Sequence, residues 1–162
     1  MLPDRGGPVE PPVEMPGVPW VPDYAWINTP PVNLADWRGS VVLVDVWNIQ
    51  CKNCLLSLPW LHSLEAKYGP RGLKFLGIHT PEFPEDGNAD RVHAEIKRLG
   101  VTTPVVMDNQ YDFWRALGNR YWPTFYLVDK LGQIRFKKIG QMQVGWGEAD
   151  QVEGWLEQLL AE

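Results

Sequence analysis

Cysteine is scarce in this chain: two in 162 residues, Cys51 and Cys54. Standing so close together, they cannot staple distant parts of a fold, so a disulfide scaffold is excluded. Such a pair reads as chemistry or as half of a metal site. Long apolar runs are missing too. No strictly apolar run exceeds the four residues of Val41–Val44, against the ~20 needed to span a bilayer. A basic excess is lacking: 15 Lys and Arg face 20 Asp and Glu, for a net charge of −5. That argues against nucleic acid or an anionic membrane surface as the partner. No charged-then-apolar leader opens the sequence. As written, the chain is expected in the cytoplasm, or outside it if a signal or anchor has been removed.

What is present suffices for a packed core. Hydrophobic residues make up 44% of the chain and nine residues are Trp, a composition that excludes whole-chain disorder. The length suits one domain. Nine of the 15 prolines fall in residues 1–31. Because proline fixes φ and removes a backbone donor, residues 1–18 are expected to be a flexible proline-rich leader, with a Pro-rich peptide ligand as the alternative. The folded domain is expected over 19–162. Trp20, Tyr24 and Trp26 mark where packing begins, as an edge hairpin.

Strand and helix signals then alternate. Val41–Trp47 is β-branched and nearly all apolar, the pattern of a strand buried on both faces. Lys52–Tyr68 reads as a helix ending at Gly69-Pro70. Leu73–His79 reads as a strand, Ala89–Leu99 as an amphipathic helix, Pro104–Met107 as a short strand and Tyr111–Leu117 as a short helix. Thr124–Val128 and Ile134–Ile139 form a terminal hairpin, and Glu148–Leu160 the closing helix. This order implies an α/β fold with a central mixed sheet flanked by helices.

The two cysteines sit where the first of these helices begins. Unpaired N–H groups and the helix dipole favour a thiolate there, and Lys52 adds a positive neighbour. Cys51 is therefore the expected nucleophile, and Cys54, one turn inward, the resolving thiol. Three readings compete: a zinc site, an inert buried pair, and a peroxidatic cysteine. Zinc would need further ligands, and His62, His79 and His93 form no suitably spaced pair. Asp45 lies six residues before Cys51, inside an apolar strand. A carboxylate there must be neutral or paired, which raises its pKa and suits it to accept the resolving thiol's proton. Its bland alternative is a solvent-facing Asp at a strand end. Trp122-Pro123 leads directly into a strand, and a cis bond there would offer the Trp122 backbone to an incoming peptide.

Taken together, Val44-Asp45-Val46-Trp47, the Cys51-Lys52-Asn53-Cys54 motif, Pro59 and Trp122-Pro123-Thr124 resemble the thioredoxin superfamily. The extra helix and strand across Thr80–Met107 resemble the insertion of its TlpA-like branch. Gly77-Ile78-His79-Thr80-Pro81-Glu82-Phe83 and Gly118–Pro123 resemble DipZ-type domains and the thioredoxin-like domain attached to NHL repeats. The chain departs from that pattern at Gln50, where thioredoxin usually has Trp, at Gly77, where the partner Lys of the buried Asp falls, and at Ser57, where cytochrome-maturation relatives carry Glu. The resemblance implies a thioredoxin-like fold with an N-terminal extension, and a thiol–disulfide oxidoreductase that reduces protein disulfides. Cys51, Cys54 and Asp45 would be catalytic, and Trp122, Pro123 and Trp47 would bind substrate. It implies no organic cofactor or metal, an upstream electron donor, and a monomer. The alternative is a redox-inactive interaction module from a larger protein. The acidic run Glu82, Glu85, Asp86 and Asp90 is expected to be a solvated loop, and His79 to be structural.

Overall fold

The computed structural model describes residues 2–162. Seven strands form one mixed sheet: β1 (Gly7–Glu14), β2 (Trp26–Ile27), β3 (Val42–Trp47), β4 (Lys74–His79), β5 (Val105–Met107), β6 (Thr124–Val128) and β7 (Gln133–Ile139). Their spatial order is β1-β7-β6-β3-β4-β5-β2. The central pairs β3–β4 and β4–β5 are parallel, and the remaining pairs are antiparallel. Five helices cover the sheet: α1 (Lys52–Leu56), α2 (Leu58–Tyr68), α3 (Ala89–Arg98), α4 (Asp112–Ala116) and α5 (Gly147–Leu160).

Alternation along β3 sorts its side chains between two cores. Leu43 joins Trp60, Leu64, Phe125, Leu156 and Leu159 beneath α2 and α5. Val42, Val44 and Val46 join Leu76, Ile78, Tyr126, Phe113 and Leu117 on the α4 side. A third cluster, with Trp47, Ile49, Cys54, Val92, Ile96, Val105 and Met107, anchors α3 and the first turn of α1. The helix and strand expected as an insertion are α3 and β5.

Two expectations are corrected. The flexible leader is instead largely β1, paired antiparallel with β7 through Gly7↔Lys137, Pro8↔Phe136, Val13↔Ile134 and Glu14↔Gln133. Residue 1 lies outside the described residues. The prolines are accommodated because β1 is an edge strand and its register shifts between Pro8 and Val13, where Pro11 and Pro12 owe no ladder donor. Val9 and Met15 are buried against the sheet. The edge hairpin expected near Trp26 is a single two-residue strand pairing Trp26 with Val106 and Ile27 with Val105. Within Lys52–Tyr68, where the resemblance implies that Pro59 kinks the helix after its first turns, the helix is interrupted at Ser57 and divides into α1 and α2. Pro59 cannot donate to the carbonyl one turn back. The Ser57 hydroxyl occupies the break, donating to the Asn53 carbonyl (2.8 Å) while accepting the Met142 N–H (3.0 Å).

Candidate active site

The site lies where the C-terminal ends of β3 and β4 meet the start of β6. Val46 pairs with Ile78 on one side and Thr124 on the other, so the loop after β3 and the proline before β6 leave the sheet side by side. The loop is tightly bonded. Buried Asn48 accepts the Gln50 N–H on Oδ1 (2.8 Å) and the Cys51 N–H on its carbonyl (3.3 Å). The Ile49 N–H donates to Nε2 of His79 (3.1 Å).

Cys51 is the N-cap of α1, and its Sγ accepts the Cys54 N–H (3.2 Å). The two cysteines form a disulfide with Cα atoms 5.2 Å apart. They are unequal: Cys51 is half-buried and Cys54 only 2% exposed. An incoming thiol or disulfide therefore has Cys51 to meet, while Cys54 faces the protein. This is the asymmetry that the sequence position suggested.

Asp45 follows the Leu43 and precedes the Trp47 side of β3, facing α2. Its Oδ1 is fully buried with no hydrogen-bond donor among the described residues, although the residue as a whole is half-buried. Burial pushes its carboxyl up to about 8, the usual response of an acid that cannot share its charge with water. The strand opposite explains why no cation answers it: Asp45 pairs with Gly77. A Cβ at Gly77 would stand 3.0 Å from the indole Nε1 of Trp47 and 3.2 Å from Cγ2 of Val105. Trp47 and Val105 thus fill the place of a side chain at Gly77, and a cavity of about 30 Å³ beside Asp45, lined also by Trp47, Gly77, Leu58 and the exposed His62, has room for a water molecule.

The second half of the site is the segment Tyr121–Thr124. The Trp122–Pro123 peptide bond is cis. The Trp122 indole donates to the Thr80 carbonyl (2.9 Å) and stacks on Trp114 with centroids 4.2 Å apart. Trp122 and Cys51 both pack against the cluster that contains Cys54. Pro123 is buried and its carbonyl accepts the Gly140 N–H (2.9 Å). Trp47 does not present the docking surface expected of it. It is 2% exposed, edge-on to His79 at 5.6 Å, and forms an inner wall of the site.

Sequence reasoning missed the supports of this geometry. Asp108, expected nowhere, accepts the Thr80 hydroxyl (2.7 Å) and the N–H groups of Phe113 (3.0 Å) and Trp114 (3.1 Å), fixing α4 and hence the stack on Trp122. The signal was an Asp at a strand end just before a helix start, a capping pattern. Of the acidic run, Glu82, Glu85 and Asp90 are exposed, whereas Asp86 is buried and accepts the Phe83 N–H (3.1 Å). Among the described residues no three His, Cys, Asp or Glu side chains gather as a metal would require, and no helix is long and apolar enough to cross a membrane.

A family model described as Redoxin matches residues 26–156. The chain belongs to the Redoxin family. Protein DipZ of Mycobacterium bovis is 36% identical over 138 residues, which cover 83% of this chain and 19% of DipZ. NHL repeat-containing protein 2 of Bos taurus is 34% identical over 128 residues, covering 76% of this chain and 18% of that protein. The chain thus spans about a fifth of the length of these relatives. Thiol-disulfide oxidoreductase ResA of Geobacillus thermodenitrificans is 30% identical over 111 residues, 67% of this chain and 60% of ResA. The crystal structure of thioredoxin-like superfamily protein SPOA0173 superposes with a TM-score of 0.81 at 23% identity, covering 93% of this chain and 97% of that one. This Redoxin-family domain has the thioredoxin-like fold and falls in the TlpA-like branch.

Proposed function

We propose that the domain is a thiol–disulfide oxidoreductase that reduces protein disulfides through Cys51 and Cys54. The observation that carries this reading is the unequal pair: a half-buried Cys51 capping α1, disulfide-bonded to a buried Cys54. The name of ResA supports it. In the reduced protein the Cys51 thiolate attacks one sulfur of a substrate disulfide, and the other substrate sulfur leaves as a thiolate. Cys54 then gives up its proton and attacks Cys51 Sγ. The second substrate thiol departs and two electrons have passed to the substrate, leaving the Cys51–Cys54 disulfide.

Asp45 is assigned the proton of Cys54. Held near 8, its carboxyl keeps a proton in the oxidised protein at neutral pH and can release it to the Cys54 thiolate when an upstream dithiol reopens the disulfide. In the forward half-reaction the proton travels back. The Trp122 backbone, before the cis proline, is assigned to hold the substrate chain. An upstream dithiol donor and a monomeric protein complete the proposal.

Insulin reduction driven by a dithiol donor tests it. Wild type is expected to turn over, Cys51→Ser to be inactive, and Cys54→Ser to accumulate a mixed disulfide on Cys51. Full activity in Cys51→Ser refutes the reading. A potential between about −270 and −120 mV is expected, whereas one well below about −300 mV marks a structural disulfide and the interaction-module alternative.

A further inference from the structure

We infer that His79 is a positioning residue for Cys51, holding the cysteine loop in register through the Ile49 N–H. The inference rests on the oxidoreductase reading above. It starts from an oddity of β4: an imidazole that is fully buried at the end of the strand, directly after the apolar run Phe75–Ile78. An apolar side chain would fill that volume without losing hydration, so the ring needs a polar reason to be there.

The reason is a backbone donor with few alternatives. Ile49 is 3% exposed and lies in the turn between β3 and α1, past the last ladder pair of β3. Its N–H meets Nε2 of His79 at 3.1 Å. Within the same turn the Asn48 side chain already serves Gln50, and the Asn48 carbonyl serves Cys51. Trp47 closes the ring's flank edge-on at 5.6 Å. Nδ1 is buried and bonds to no other described residue, so the ring's one bond to another residue runs to the loop. Accepting that bond requires an unprotonated Nε2. Burial supplies this by lowering the imidazole to about 4, only partly opposed by the ring's own backbone and by the Asp86 carboxylate.

The next residue completes a bracket. Thr80 donates its N–H to the Trp47 carbonyl (3.0 Å) and accepts the Trp122 indole on its own carbonyl (2.9 Å). His79 thus fixes the cysteine loop and Thr80 the proline segment, both from the end of one strand. Cys51 stands two residues beyond Ile49. Where that loop sits decides whether Cys51 Sγ faces the Cys54 N–H that now donates to it at 3.2 Å. Removing the Nε2 acceptor leaves a buried N–H unsatisfied, and the loop can relieve it only by moving.

The test is thiolate titration of reduced Cys51, by ultraviolet absorbance and by alkylation rate against pH, in wild type, His79→Leu and His79→Gln. His79→Leu is expected to raise the Cys51 pKa by about half a unit or more, slowing alkylation at neutral pH about threefold. His79→Gln, whose side-chain carbonyl can accept the same N–H, is expected to stay within about twofold of wild type. A purely structural His79 would lower melting temperature in both variants and leave the Cys51 titration where it is, and that result overturns the inference. Should His79→Leu fail to fold, nitrogen NMR of the wild-type ring decides: a proton on Nε2 overturns the proposal, and a bare Nε2 coupled to the Ile49 amide upholds it. If wild type does not reduce insulin, the oxidoreductase reading fails on its own. If wild type is active and His79→Leu titrates unchanged, only the positioning role fails.

Discussion

Replacing Asp45 by Asn should make the oxidised protein more stable, and the gain should grow with pH. The carboxyl is raised from 3.8 to about 8 by burial, so the folded chain binds this proton more tightly than the unfolded one. Its stability contribution is therefore fully present below 3.8 and is lost progressively as pH rises towards 8. Each pH unit in that window costs about 1.4 kcal/mol. At pH 7 the full cost approaches ~4 kcal/mol, and because Asp45 is only half-buried as a residue, ~2–4 kcal/mol is the expected range. Asn is a permanently neutral isostere that avoids this cost. Urea unfolding of both proteins from pH 4 to pH 9 is the assay, read as the difference between them so that other titrating groups cancel. The difference should be near zero at pH 4, widen through pH 7 and level off above about 8. A constant difference across that range, or an Asn variant less stable at pH 7, refutes the buried-acid account. The same variant should reduce insulin more slowly at neutral pH and lose any inflection near 8 in the rate profile.

The opposite sign holds for His79. Its pKa falls from 6.5 to about 4 in the fold, so wild type should lose up to ~3 kcal/mol as pH drops through that window, while His79→Gln should not; parallel urea midpoints would disprove this. Gly77→Ala places a Cβ 3.0 Å from the Trp47 indole and 3.2 Å from Val105, and should cost ~1–3 kcal/mol in urea unfolding; a neutral change would show that Trp47 and Val105 yield to the methyl group without strain. Ser57→Ala strips the acceptor from the buried Met142 N–H and should destabilise by ~1–3 kcal/mol, an effect that calorimetry would miss only if the helix break tightens to compensate. Deleting residues 1–14 removes β1, Val9 and the pairing to β7; a clear drop in melting temperature is expected, and an unchanged one would restore the flexible-leader view.

Much of the architecture was legible because burial and periodicity agree in the central strands. Val42–Trp47 is apolar on both faces since both faces are covered, and its one charged residue stands out against that background. The cysteines were legible for the same reason of contrast: two sulfurs, one turn apart, at a helix start. The edge of the sheet was not. In β1, proline density argues for open chain at the level of propensity, and only the partner strand β7, well over a hundred residues away, reveals that an edge position with a shifted register tolerates it. The helix break was half legible. Pro59 announces an interruption, but the hydroxyl of Ser57 and its long-range bond to Met142 decide where it falls.

The residues least legible in the sequence are those that hold the site together. His79, Thr80 and Asp108 lie at the ends of β4 and β5, where a polar residue usually signals nothing more than the strand's exit to solvent. Here the ends are covered by α3, α4 and the cysteine loop, so each polar group must find a partner inside. His79 finds the Ile49 N–H, Thr80 the Trp122 indole and the Asp108 carboxylate, and Asp108 the first N–H groups of α4. The first bond runs to the cysteine loop and the second to Trp122, and the bonds to α4 hold the Trp114 that stacks on Trp122. A fold built from local propensity alone could place Cys51 and Pro123 in the same neighbourhood. It takes this set of buried side chains, bonded across the gap between two loops, to tie both segments to the end of one strand.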